Sequence, residues 1–315
     1  MREAYIIGGA NIDIIGRSDH SLIPFDSNIG KVVQSYGGVG RNIAENAARL
    51  GVKVHFVSIF GNDYNGLNCI RYCEECGMDM SDCRIVENER TSTYLAVLDE
   101  TGDMSIAIND MDILRFLDRE HIDKVFKKIK KDDILVIDTN LDKELIAYMM
   151  KHAPCDIFVD PISSEKVQKL EGLLSYIHTF KPNVYEAERL SGIKYEGEES
   201  VDDMGKYFLS CGIDEIYISL GKEGVKAYTK DCAVLCSTED VTVANATGAG
   251  DSFMGGIIAA TLMDYSFMDK IKFAQSCSVV TIESDQSVCR RLSLEMVNQR
   301  KEKLKFNVKE KKLCI

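Results

Sequence analysis

The chain contains no run of 18 or more apolar residues, so no segment reads as a membrane-spanning helix. Its first residues, MREAYIIGGANIDIIG, turn to glycine and asparagine too soon for a secretory signal, and the expectation is a soluble cytoplasmic protein. Low-complexity tracts are also absent, and 45% of the 315 residues are apolar, which is enough for a globular chain with a sizeable core. A nucleic-acid surface needs a basic stripe, and the formal net charge here is -12. The one locally basic stretch, RKEKLKFNVKEKK at 300–312, carries Glu residues at helical spacing and reads as a solvated helix and tail. Neither a GxxxxGK[ST] string nor a GxGxxG run occurs, which excludes the commonest phosphate loops.

Cysteine is plentiful, but its use is equally restrictive. The eleven cysteines are odd in number and scattered through segments that read as helix and strand, so reduced thiols are expected. Cys69, Cys73 and Cys76 share a helical stretch with Cys83 nearby. They complete no familiar metal-ligand spacing and read as small apolar residues.

What is present is an alternation. Short β-branched runs at 4–9, 54–61, 133–140, 156–161, 177–183 and 215–221 are separated by helical stretches such as 40–50, 65–76, 142–152, 184–191 and 200–211. That order predicts βαβ units and a mostly parallel sheet covered by helices on both faces, an α/β fold. Two segments depart from it. Residues 13–36 hold no helix, and TSTYLAVLDETGDMSIAIN at 91–109 reads as two strands around a turn at Thr101 and Gly102. They predict either a lid over the site or a plain edge hairpin.

In open α/β sheets ligands bind beyond the carboxyl ends of the strands. Asn11, Asp13, Asp138, Asn140, Asp160, Asn183 and Ser219 all fall there. Four stretches then carry candidate chemistry. In NATGAGDSFMGGI, from Asn245, the small residues Gly248, Ala249 and Gly250 precede Asp251 at the start of an apolar helix. Such a turn offers free N–H groups to an oxyanion and a carboxylate to a hydroxyl proton, which is what phosphoryl transfer needs at one place. YGGVGRNIAENAARLG, from Tyr36, puts glycines before a helix that carries Asn42. In KPNVYEAERLSG, from Lys181, Asn183 and Glu186 approximate a capping box, and Glu186 could also organise water around Mg²⁺. SLGKEGV, from Ser219, is either hairpin chemistry or a backbone that passes close to phosphates.

Taken together and in this order, the four stretches resemble the PfkB, or ribokinase-like, carbohydrate kinases. GGVGRNIA from Gly37, with Gly51 and Gly61 following, matches the N-terminal signature of that family. NATGAGDSFMGGI matches its C-terminal signature, and NVYE its NxxE element. The resemblance spans Gly8 to about Ser287. It implies a three-layer sandwich over 1–315 as one kinase domain, with segments 13–36 and 91–109 as a β lid that in many relatives also forms a homodimer interface. It further implies Asp251 as catalytic base, Gly248, Ala249 and Gly250 with Asp251 as anion hole, and Glu186 positioning Mg²⁺ through water. ATP would lie along Asn183, Ser219, Gly221, Gly224 and Thr247. Asn11, Asp13, Gly38, Asn42 and Asn140 would hold the sugar.

Within the family, GGVGRNIAENAARLG, TSTYLAVLDETGDMSIAINDMDI and IHTFKPNVYEAERLSG are similar to the bacterial pseudouridine kinases, which implies phosphorylation of the pseudouridine 5′-hydroxyl. Asn245 stands where ribokinases usually carry Asp, so the resemblance leaves a monovalent-cation site open. A C-nucleoside presents an extra ring N–H, for which Asn109, Asp110, Ser92 or Thr93 at the lid ends could supply the acceptor. Another sugar or nucleoside kinase, acting on ribose, adenosine or uridine, and a non-catalytic nucleoside sensor are the alternatives. No nucleic-acid or membrane partner is expected.

Overall fold

A computed structural model describes residues 2–239 and 241–313. The β-branched runs assemble into one sheet of ten strands. From one edge its order is Phe306–Lys312, Cys232–Thr238, Val225–Tyr228, Glu215–Ser219, Thr179–Phe180, Asp156–Asp160, Ile134–Asp138, Ala4–Ile7, Val54–Val57 and Met78–Asp79. Pairing is parallel from Glu215–Ser219 to Met78–Asp79 and antiparallel beyond it toward the Phe306–Lys312 edge.

The pleat sends alternate side chains to opposite faces, and each face has its own core. Along the first strand Ala4 and Ile6 enter one core, and Tyr5 and Ile7 enter the other. In its parallel neighbour Val136 joins Ile6, while Leu135 and Ile137 join Tyr5 and Ile7. Buried on both sides, these strands can be apolar throughout. Helices Val39–Arg49, Ala249–Leu262 and Phe267–Ile282 cover the first core. Helices Lys143–His152, Val184–Ser191 and Glu198–Ser210 cover the second, which completes three layers. Each fully buried Ile, Val or Phe contributes roughly 1.5–3 kcal/mol.

A second sheet stands apart, in the order Gly30–Gly37, Asn11–Ser18, Thr93–Leu98, Met104–Asp110. It grows directly from the first strand of the main sheet, because Gly8, Gly9 and Ala10 lead into Asn11–Ser18. The expected turn at Thr101 and Gly102 is present: Gly102 has φ 93°, and the Asp99 carboxylate accepts from the backbone N–H groups of Thr101 and Asp103, each at 2.9 Å. This sheet exposes Val32, Val33, Met104, Ile106 and Ile108.

One expectation is corrected. The basic stretch 300–312 is only partly helical: helix Leu294–Lys303 ends early, and Phe306–Lys312 pairs with Cys232–Thr238 as an edge strand. Its Glu and Lys residues suit an edge, because charge there discourages further pairing. The ten cysteines among the described residues are free thiols, as expected, and Cys69 and Cys73 lie in the core.

Candidate active site

The site is built where two helix starts meet the carboxyl ends of the strands. Helix Ala249–Leu262 begins at Gly248, whose φ of 83° is left-handed and where a Cβ would collide with the Ser287 carbonyl oxygen. The N–H groups of Ala249, Gly250 and Asp251 therefore sit in a first turn that offers them no helical acceptor, at the positive end of the helix dipole. Ser278 anchors the turn by donating its hydroxyl to the Ala249 carbonyl at 2.7 Å. Gly38 starts helix Val39–Arg49 in the same way, with φ 97° and no room for a Cβ against the Gly9 carbonyl.

Asp138 organises the neighbouring turns. This buried carboxylate accepts from the N–H groups of Gly9 at 2.7 Å, Gly40 at 2.9 Å and Asn140 at 2.9 Å. Burial pushes its carboxyl up, and those three donors oppose the shift. Its strand-end position thus supports the site's backbone.

Two cavities flank the Gly248–Asp251 turn. On one side about 450 Å³ is lined by Lys181, Asn183, Tyr185, Ser219, Gly221, Gly224, Ala249 and Gly250, among others. On the other, about 260 Å³ is lined by Asn11, Asp13, Gly38, Asn42, Tyr94, Asn109, Asn140, Lys166, Thr247 and Asp251, with Met111 and Ile162. The turn is the wall between them, with Ala249 and Gly250 toward the larger space and Asp251 toward the smaller. Asn42 donates to Asp251 Oδ2 at 2.7 Å, which joins the two glycine-rich motifs across 209 residues of sequence. Asn11 donates to Asp13 Oδ1 at 2.5 Å and fixes the orientation of that carboxylate.

Electrostatics distinguish the acids. Burial, reinforced by the Asp160 carboxylate, pushes Asp251 up to about 7, against the pull of Asn42, Lys181 and Arg41. Burial and Asp160 push Glu186 up to about 7 as well. An acid poised near neutrality is suited to accept a proton at physiological pH. Asp13 is also raised by burial, while its bond from Asn11 opposes the shift.

The Asn183 and Glu186 pair forms a complete capping box. Asn183 Oδ1 accepts from the N–H groups of Tyr185 and Glu186, each at 2.9 Å, and Glu186 Oε2 accepts from the Asn183 N–H at 2.8 Å. Among the described residues no three His, Cys, Asp or Glu side chains converge on a metal position. The buried acids Asp160 and Glu186 and the half-buried Asp251 nevertheless face one ammonium, that of Lys181. That excess negative charge fits Mg²⁺, which keeps most of its ligands as water and phosphate oxygen.

The structure brings most of the sequence-derived residues to these two cavities; Gly248, at the start of the turn, and Glu186, in the capping box, line neither, and three more lie away from both. Ser92 is buried with its hydroxyl unpartnered, Thr93 donates its hydroxyl to the Thr91 carbonyl at 3.1 Å, and Asp110 lines a separate hollow with Arg90 and Arg115. Strand alternation explains this. Tyr94 and Asn109 are cross-strand partners that line the smaller cavity, whereas their neighbours Thr93 and Asp110 pair with each other one step along. Thr247, expected on the nucleotide side, lines the smaller cavity instead.

Sequence reasoning missed Tyr94, Lys166 and Lys181. Lys166 donates to Asn140 Oδ1 at 2.6 Å, and burial lowers its ammonium below the ordinary lysine value. No local pattern marks Lys166. Lys181 stands beside Pro182 within a stretch already singled out, where an apolar strand ending in a lysine is the available signal.

Comparison with known proteins agrees with this architecture. The family model described as pfkB family carbohydrate kinase matches residues 1–288. The pseudouridine kinase of Escherichia coli K12 is 38% identical over 304 residues, covering 94% of this chain and 96% of that protein. The ribokinase of Haemophilus influenzae is 28% identical over 310 residues, covering 96% and 97%. A ribokinase structure from Thermotoga maritima superposes with a TM-score of 0.81 over 96% of this chain and all of the other, at 22% identity, a likeness of fold.

Proposed function

Because the chain belongs to the pfkB family of carbohydrate kinases, we propose that it transfers the γ-phosphoryl group of ATP to the 5′-hydroxyl of pseudouridine. One observation carries the kinase reading: the Gly248–Asp251 turn is shared by two cavities, with its Ala249 and Gly250 backbone on one side and its carboxylate on the other. The choice of pseudouridine is supported by the Escherichia coli relative of that name, which aligns along nearly the whole chain.

In this reading Asp13, Asn11 and Asn42 hold the ribose so that the 5′-oxygen lies in line with phosphorus, which makes a bimolecular encounter an oriented one. The 5′-oxygen forms the new bond to phosphorus. The bond to the β–γ bridging oxygen breaks, its electron pair leaves with ADP, and the hydroxyl proton passes to the Asp251 carboxylate. The N–H groups at 249–251 stabilise charge on the transferring group. Mg²⁺, when bound near Glu186, supplies neutralising charge to the phosphates. The second sheet acts as a lid that excludes water, and Tyr94 and Asn109 place it against the nucleobase.

The test is ATP-dependent phosphorylation of pseudouridine, uridine, adenosine and ribose, compared as kcat/KM. The expected outcome is a preference for pseudouridine that Asn109→Ala erodes. Preference for another acceptor retires the substrate and keeps the kinase, whereas no ATP turnover with any of them favours a sensor.

A further inference from the structure

We propose that Lys181 is a further catalytic residue, whose ammonium lies against the Gly248–Asp251 turn and donates to the oxygens of the phosphoryl group in transfer. The inference rests on the kinase reading above and goes beyond the base and the backbone anion hole.

The position of Lys181 is unusual for a lysine. Its side chain is 7% exposed, yet it lines the larger cavity beside Asn183, Ala249 and Gly250. Its Nζ would lie 3.0 Å from a Cβ placed on Gly250, so the ammonium is pressed against the turn itself. The segment that carries it is held firmly, because the Lys181 N–H donates to Val159 at 3.2 Å and Pro182 follows immediately. Burying a lysine is costly unless the charge is compensated. Asp160 Oδ2 lies 3.1 Å from Nζ, and its own side chain is 6% exposed. Burial alone would discharge the ammonium, but the carboxylates of Asp160, Glu186 and Asp251 outweigh it and hold the group above the ordinary lysine value.

An ammonium has three N–H bonds, and one carboxylate oxygen does not use them all. A structural ion pair would also be expected to lie away from the cavity wall. This one instead stands at the turn that separates the two cavities, where the negative charge of a transferring phosphoryl group must gather. During transfer the new bond forms between the acceptor oxygen and phosphorus, the bridging bond to ADP breaks, and the proton goes to Asp251. Lys181 gains and loses no proton. It donates hydrogen bonds that strengthen as charge spreads over the equatorial oxygens, in a site where such donors are worth far more than in water.

The bland account is that Lys181 only neutralises Asp160, and a charge-deleting pair separates the two. Lys181→Met should lower kcat by about 10² or more with the acceptor KM little changed. Lys181→Arg should recover part of that loss. The double variant Asp160→Asn with Lys181→Met removes the buried charge conflict, so it should regain thermal stability while kcat stays low. Recovery of wild-type kcat in the double variant, or near-normal kcat in Lys181→Met, would overturn the proposal.

A binding measurement stands apart from turnover. By calorimetry, ADP with aluminium fluoride should bind the wild type more tightly than ADP alone, and Lys181→Met should lose that gap. A gap unchanged in the variant also overturns the proposal. If the wild type consumes no ATP with any acceptor, the kinase reading fails on its own, and the fluoride gap still decides whether Lys181 meets the phosphoryl position.

Discussion

Replacing Asp251 by Asn is expected to lower activity and raise stability together. The carboxylate is pushed from the ordinary value of 3.8 up to about 7, chiefly by burial and next by Asp160. Its folded-state value thus lies above its unfolded one, so the native state gains stability as pH falls through about 7 and loses it as pH rises. Near pH 8 a rise from 3.8 to about 7 corresponds to a ceiling of roughly 4 kcal/mol. Asp251 lines a cavity and retains some solvent, which reduces the expected gain to about 1–3 kcal/mol, or roughly 2–6 °C in Tm for a chain of this size.

Asn keeps the shape and can still accept from Asn42, which donates to Asp251 at 2.7 Å in the wild type. The gain should shrink by about half near pH 5.5, because the wild-type carboxyl is by then protonated in the folded state. Turnover should fall by about 10²–10⁴, since the amide cannot take the proton. Differential scanning calorimetry across pH, with initial rates on the same samples, reads both effects. A variant with near-normal turnover would remove the base, and a Tm that falls near pH 8 would refute the account of a strained, buried charge.

Other perturbations probe the remaining parts. Gly248→Ala should cost about 1–2 kcal/mol for the left-handed backbone alone, with more from the Ser287 carbonyl, and should reduce kcat by distorting the anion turn; unchanged kinetics would show that the turn needs no such geometry. Glu186→Gln preserves an acceptor for the Asn183 N–H, so the fold should hold while the Mg²⁺ concentration for half-maximal activity rises by about tenfold or more; an unaltered Mg²⁺ titration would remove Glu186 from the metal's water shell. If the second sheet pairs two copies through its exposed Val32, Val33, Met104, Ile106 and Ile108, Ile106→Asp should shift light scattering toward monomer; a wild type already monomeric at assay concentrations would retire the dimer.

Local signals account for much of what was legible beforehand. The strands and helices follow from periodicity and punctuation: the expected helix at 184–191 is observed as Val184–Ser191, and that at 65–76 as Tyr64–Glu75. The signature around Asp251 carries its own chemistry, because small residues, an acid and a helix start are adjacent in the chain. The edge strand Phe306–Lys312 was not legible, since a charged run at helical spacing becomes a strand only when a partner such as Cys232–Thr238 offers its unpaired edge.

By itself, then, the sequence determined the strands and helices in their order, the glycine turns at 38 and 248, the capping box at 183–186 and the acid at 251, all of which arise from interactions between residues a few positions apart. The tertiary structure alone decided which groups share a cavity. It joined Asn42 to Asp251, turned Asn109 toward the smaller cavity and Asp110 away from it, and set Lys181 between Asp160 and Gly250. Those placements depend on strand register and on how two distant helix starts pack. A carboxylate's proton affinity is likewise set by the burial and charges around it, none of which is written in its neighbours along the chain.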